Sequence, residues 1–363
     1  MALPYVKIKF ANGALGTVAP SADKVVGILG DADAVAGKFQ QGKAYQVYRL
    51  DTLIKTLGIS KESDLYKAAA EFYAEAGTGA ELWIYAPADE AEAPEMDFIK
   101  QAGGRLRAVA IVTPVESASE LGDLQGIAEE ATETLYAPVT FIAGSAATLA
   151  ADLTETAYNR VMCVIGSTSA AGIPAVGVVA GRYAATEVQE NVGKVRLGAL
   201  SIDEVYIDGE AVVDNDKAES LNTKGYVTFR TYVGKAGWFI TDDIQACETT
   251  DDYRSLARRR TIDKAFRIAY DTLLDWVNQE IPVTPEGTIQ AQMAKSIEQC
   301  VESAVASNMG DALSQEGNEL GVECVVDTEE RIASTSNLKI ALRVLPYGYA
   351  KYIDVELGFK IIS

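Results

Sequence analysis

The chain has 363 residues, of which 48% are hydrophobic and 23% charged, the composition of a folded rather than a disordered protein. Its 32 Lys and Arg stand against 52 Asp and Glu, a formal charge of −20 that repels nucleic-acid phosphates and anionic membranes, so neither is expected as a partner. There is no histidine, which removes Ser-His-Asp and Cys-His catalysis, most catalytic zinc sites and the commonest general base.

In the opening MALPYVKIKF, Val6, Ile8 and Phe10 alternate with Lys7 and Lys9 in the period of a half-buried strand, and Asn12-Gly13 supplies a turn. Such a strand can pair with its own sheet or be donated to a neighbouring subunit. The segment lacks the apolar core of a signal sequence, and no apolar run has membrane-spanning length. Cys163, Cys247, Cys300 and Cys324 lack C-x-x-C spacing and read as buried thiols of a reducing compartment. The expected location is the cytoplasm.

Residues 24 to about 187 alternate strand and helix. KVVGILG, AYQVYRL, ELWIYAP, RLRAVAIVT, APVTFIAG and NRVMCVIGS read as strands, nearly all continuously apolar, which predicts a covered and mainly parallel sheet. Ser60 is placed to cap a helix with Leu65, Ala69, Phe72 and Tyr73 on one face, ending at Gly77. PADEAEAPEMD reads as a loop, and Ser117 with Glu120 as a capping box for a helix reaching about Tyr136. The loop GILGDADAVAGKF fails as a phosphate-binding loop, because Ala32 stands at the required glycine and Phe39 replaces the metal-holding hydroxyl. IPAVGVVAGRYAATEVQ follows, its small residues suited to a helix packed closely against neighbouring backbone.

A boundary is expected around Leu197–Asp208. Beyond it, YVTFRTYV and AGWFI read as paired strands. Asp242-Asp243 and Asp251-Asp252 are the conspicuous carboxylate pairs; adjacent positions on a strand face opposite ways, and Thr249 with Asp252 fits a capping box. The next helix carries Arg254, Arg258, Arg259, Arg260, Lys264 and Arg267, out of character in so acidic a chain. A solvated face, a phosphate site and a docking surface all fit, and the missing glycine cradle ranks docking above ligand binding. A further helix is expected to bury Ile289, Met293, Ile297, Cys300 and Ala304, followed by the strands VECVVD and LKIALRVLP. The chain closes on YIDVELGFKII, where Ile353, Val355, Leu357 and Phe359 alternate with polar or small residues as an amphipathic strand.

These patterns predict a mixed α/β (α+β) protein with no catalytic, cofactor or metal site. Expected are an N-terminal strand arm at 1–20, an α/β domain at 21–190, an α+β core at 191–349 and a C-terminal strand arm at 350–363.

From Ile173 onward the order of features resembles the contractile tail sheath family of phage tails and related injection machines. IPAVGVVAGRYAATE is similar to the small-residue helix before the family's core block, and SLNTKGYVTFRTYVGKAGWFITDD to its strand pair. YRSLARRRTIDKAFRIAYDTLLDWV resembles its arginine-bearing helix, where Arg259, Arg260 and Ile262 match, and TSNLKIALRVLPYGYAKYIDVELGFKI its closing strands. Lys235-Ala236-Gly237-Trp238 stands where the family has a Gly-Ala-Arg-Thr turn.

The resemblance implies a helical homopolymer around an inner tail tube, engaged with baseplate and terminator proteins and contracting when triggered. It implies terminal arms that add strands to neighbours' sheets, which Val6, Ile8 and Phe10 and Ile353, Val355, Leu357 and Phe359 would provide. The arginine helix would then face an acidic surface of the tube or a neighbour, in a salt-sensitive contact. The alternative is an α/β enzyme or a protein that binds a phosphorylated ligand at the arginine helix.

Overall fold

The computed structural model describes residues 22–357, apart from 89, 90, 146, 148, 150, 171, 317 and 318. The chain forms two compact units, Met1–Asp263 and Lys264–Ser363. The fold is mixed α+β with a largely parallel main sheet, the class expected from the sequence.

The first unit begins with β1 (Val26–Leu29), β2 (Tyr45–Val47), α1 (Leu50–Lys55) and α2 (Asp64–Ala76). Then β3 (Leu82–Tyr85), α3 (Pro94–Gln101), β4 (Ala108–Ile111), α4 (Ala118–Leu135) and β5 (Thr140–Ser145) alternate, and a short β6 (Ala157–Tyr158) precedes β7 (Val161–Ile165) and α5 (Val176–Ala185). Beyond α5 lie β8 (Tyr206–Ile207), β9 (Glu210–Ala211), α6 (Asp216–Thr223), the hairpin of β10 (Phe229–Tyr232) and β11 (Lys235–Ile240), and β12 (Ala246–Cys247). α7 (Leu256–Leu274) starts in this unit and ends in the second.

The main sheet has the order β2-β3-β1-β4-β5-β7, with β2 antiparallel at one edge and the rest parallel. Alternate residues of its strands feed two separate cores. Val26, Ile28, Leu82, Ile84, Ala108 and Val164 pack with Leu65, Phe72, Val176 and Val179 of α2 and α5. On the other side Leu29, Val109, Ile111, Phe141 and Ile165 pack with Phe98 of α3 and Leu121 and Leu124 of α4. Helices on both faces explain why the strands are apolar on both faces.

Helix ends show where local reading succeeds and where it slips. α4 begins after Ser117 and stops at Tyr136 as expected, but the expected capping box is not made: Ser117 Oγ donates to Glu120 Oε1 at 2.8 Å and caps no helix amide, and Glu120 Oε2 accepts from Glu116 N at 3.3 Å. α2 stops at Gly77 as expected, but its cap is Ser63, whose Oγ accepts from Tyr66 N at 3.3 Å; Ser60 lies in the turn before it. The expected loop at PADEAEAPEMD contains the start of α3, with Pro94 in the first turn and Met96, Phe98 and Ile99 buried.

The small-residue helix α5 packs against α2 at backbone distance. A Cβ at Gly177 would lie 2.3 Å from Ala68 O, and one at Gly181 would lie 2.5 Å from Phe72 O, so only glycine fits. The boundary expected at residue 190 falls inside this unit, since Val205, Val227, Phe229, Ile240 and Leu256 join the same core as α2 and α5.

The second unit adds α8 (Ala291–Met309), β13 (Val322–Val326), α9 (Ile332–Thr335) and β14 (Ile340–Val344). α8 buries Ala294, Ile297, Val301, Val305 and Met309, a stripe rotated from the expected one. That rotation leaves Cys300 exposed, whereas Cys163, Cys247 and Cys324 are buried, and burial pushes the Cys163 thiol up to about 12. β13 and β14 pair antiparallel, with Val322 opposite Val344, Cys324 opposite Leu342 and Val326 opposite Ile340.

Candidate functional site

Two sets of residues were singled out in the sequence, the charged helix and the terminal strands. On α7, the conspicuous Asp243 is the cap: its Oδ2 accepts from Ala257 N at 3.1 Å and Ser255 Oγ at 2.6 Å, and its Oδ1 from Asn191 Nδ2 at 2.8 Å. Thr249 and Asp252 precede the first helical residue, Leu256, by too many positions to form the expected capping box. The cap reaches the helix from the preceding loop, across the Ile244–Ser255 bridge.

Arg259 and Arg260 point into the chain's own interior. Arg259 donates to Asp263 Oδ1 from Nη2 at 2.7 Å and from Nε at 3.1 Å, and its guanidinium lies 4.3 Å from the Tyr253 ring centre. Asp263 also accepts from Arg160, at 3.1 and 3.2 Å, so one buried carboxylate holds two buried guanidiniums. Arg260 lies 3.9 Å from the Tyr183 ring centre and donates to Thr186 Oγ1 at 2.9 Å and to Thr186 O at 3.1 Å. Burial draws its pKa below the usual arginine value. Arg254 donates to Cys247 O. Arg254, Arg258, Lys264 and Arg267 are half-buried. The surface expected to meet an acidic partner is therefore narrower than the charge run, because Arg259 is held by Asp263, which also ties α7 to Arg160 before β7, and Arg260 ties α7 to the end of α5.

Of the terminal strands, Val6, Ile8, Phe10 and Phe359 lie outside the described residues. Ile353, Val355 and Leu357 are exposed at 76%, 77% and 94%, and residues 350–357 pair with no strand among the described residues. Just upstream, the two strands of the second unit differ in how they are covered. Val322, Cys324 and Val326 of β13 are buried, whereas Ile340, Leu342 and Val344 of β14 are half-exposed.

The outer edge of β13 is also closed. Glu298 Oε1 of α8 accepts from Val326 N at 2.9 Å, and Glu302 Oε1 accepts from Cys324 N at 2.8 Å. Lys295 and the Val326 amide hold the Glu298 carboxyl below the usual range. Carboxylates from a helix thus occupy one sheet edge, while the β14 edge has no strand partner among the described residues, a distribution that the sequence does not signal because no local pattern relates α8 to β13.

Among the described residues no group of three or more acidic, Cys or His side chains is placed to hold a metal, and no helix is long and apolar enough to cross a membrane.

A family model described as DUF2586, N-terminal domain, matches residues 3–244, and one described as DUF2586, C-terminal domain, matches residues 252–362. No curated protein matches the chain. Among solved structures, a chain of the anti-feeding prophage helical sheath in the contracted state superposes with a TM-score of 0.70 at 15% identity, covering 99% of this chain and 99% of that one. A chain of the 6-fold symmetrised baseplate of the anti-feeding prophage gives 0.70 at 14% identity, covering 99% and 100%. The sheath tail protein of Desulfitobacterium hafniense gives 0.56 at 11% identity, covering 95% and 100%. The fold is that of the tail sheath proteins, and the likeness runs through the N-terminal half, where the sequence showed only a general α/β pattern.

Proposed function

This chain belongs to the DUF2586 family, and on that footing we propose that it is a structural subunit of a contractile tail sheath. In this reading it polymerises helically with copies of itself around an inner tail tube, joins baseplate and terminator proteins at the ends, and contracts to drive the tube through a target envelope. It works in an assembled phage tail or injection particle and carries no catalytic site.

The observation that carries this reading is a sheet edge, that of β14, and an exposed tail that both lack a strand partner among the described residues. β14 has a half-covered inner face, and the segment that follows it alternates Ile353, Val355 and Leu357, all exposed. Water-exposed apolar alternation of that kind is costly for an isolated chain and is relieved when the segment becomes a strand in another sheet. A strand added along β14 gains main-chain hydrogen bonds from the edge and side-chain contact from Ile340, Leu342 and Val344. Residues 1–20 and 350–363 then act as arms that link subunits while allowing rotation and rise to change.

The alternative of a phosphorylated ligand at the arginine helix is weakened by the engagement of Arg259 and Arg260 with Asp263 and Thr186. Removal of Tyr352–Ser363 tests the proposal. The truncated chain should keep the thermal unfolding of the full chain and lose polymerisation; polymers as abundant as those of the full chain would remove the tail from the contact.

A further inference from the structure

The N-terminal arm, expected at residues 1–20, joins the body through very little chain. The first described element is the single 3-10 turn Ala22–Lys24, and β1 begins two residues later at Val26. Val25 and Val26 are buried, one in each of the two cores, and β1 lies between β3 and β4. The root of the arm is therefore tied to a central strand without slack.

The turn also packs on α5. Lys24 Nζ donates to Glu187 Oε1 at 2.6 Å, just past Ala185, the last residue of α5. Glu187 is held in turn: its N donates to Glu190 Oε2 at 3.2 Å, and Lys194 donates to Glu190 Oε1 at 2.6 Å. Arg260 reaches the same place from α7, through its contact with the Tyr183 ring and its hydrogen bonds to Thr186. Burial lowers its pKa, and the Tyr183 phenol with the carboxylates of Asp23 and Glu187 opposes that drop. A guanidinium out of water needs opposed charge beside it. One of these two carboxylates belongs to the root of the arm, and the other is the partner of Lys24. All of these residues lie in the first unit.

We propose that Asp23, Lys24, Glu187 and Arg260 form a clasp that fixes the direction in which residues 1–20 leave the body. Lys24 and Glu187 are its positioning pair, and Arg260 is the buried post that holds Asp23 and Glu187 beside each other. Freedom at the root would be lost again whenever the arm joined a neighbour's sheet, so a root already fixed lowers the cost of that step. The inference rests on the homopolymer reading above, and it gives one of the three consecutive arginines a part in the assembly without any outward contact of its own.

The test uses full-length chains with Cys300→Ser to remove the exposed thiol and Ser21→Cys to carry a fluorophore beside the clasp. Anisotropy of the label in dilute protein reads the freedom of the root. Lys24→Glu sets like charge against Glu187 and should lower the anisotropy, and Glu187→Lys in the same chain should restore it, with thermal unfolding unchanged throughout. Lys24→Gln, which adds no repulsion, should fall between. Lys24→Glu should also raise the concentration needed for polymerisation by about fivefold or more, and the paired variant should bring it back. An anisotropy that neither Lys24 variant lowers would overturn the clasp and leave the homopolymer reading standing. A loosened root with unchanged polymerisation would overturn its part in assembly. A wild type that stays monomeric at every concentration would overturn the homopolymer reading, and the anisotropy series would then decide the clasp by itself.

Discussion

At the scale of single residues, three consecutive arginines suggested an outward surface, and two of them serve the interior. The clue available in the sequence was Asp263, four residues beyond Arg259 and on the same helix face. Its other partner, Arg160, is 103 positions away and invisible to any local pattern. Replacing a buried carboxylate that holds two guanidiniums leaves both charges uncompensated. Asp263→Asn should therefore destabilise the first unit by about 3–5 kcal/mol, read by denaturant unfolding. A loss under about 1 kcal/mol would mean that the arginines find other partners.

Glu71 gives a second test at this scale. Its carboxylate takes the Thr168 hydroxyl at 2.8 Å, while Oε2 is enclosed without a hydrogen-bond partner among the described residues. Burial pushes its pKa up from 4.5 to about 7. The folded state thus binds this proton more tightly than the unfolded chain does, and the associated stability is full below pH 4.5 and lost as pH rises through about 7. Glu71→Gln should match the wild type near pH 4.5 and exceed it by up to about 3 kcal/mol at pH 8. A difference that does not grow with pH would show that Glu71 ionises normally.

At the scale of elements, long periodic segments were readable and short ones were not. The strands β1, β3, β4, β5 and β7 and the helices α2, α4 and α5 follow from apolar runs and caps, because covered parallel strands carry a strong signal. α1 and α6 span only 6 and 8 residues and carry too few apolar positions to announce themselves, and α3 hid within an acidic, alanine-rich stretch. The stripe on α8 was misplaced because residues near either margin of an amphipathic face look alike in sequence; Val301 and Val305 settle it.

Closure of the β13 edge by Glu298 and Glu302 depends on a helix packing against a strand, and no spacing rule reveals it. The double substitution Glu298→Ala, Glu302→Ala removes the acceptors of two strand amides. It should cost about 1–3 kcal/mol for each amide left unpaired and raise aggregation measured by light scattering. Unchanged stability and solubility would mean that the edge needs no cover.

At the scale of the whole molecule, the absence of histidine, the failed phosphate loop and the high acidic charge argued against familiar enzyme classes before any fold was known. The resemblance in the C-terminal half pointed to the sheath fold, and the match to solved sheath structures covers 99% of the chain. What the sequence did not reveal is how the ends are used, because a period-2 pattern specifies a strand without naming its neighbour. YIDVELGFKII has that pattern, yet Ile353, Val355 and Leu357 are exposed and join no strand among the described residues. In the proposed helical polymer, a second copy would supply that neighbour.

Electron microscopy of the concentrated full-length protein tests this most directly. The account predicts helical tubes or stacked rings whose abundance rises steeply with protein concentration. A uniform population of monomers at every concentration would contradict it.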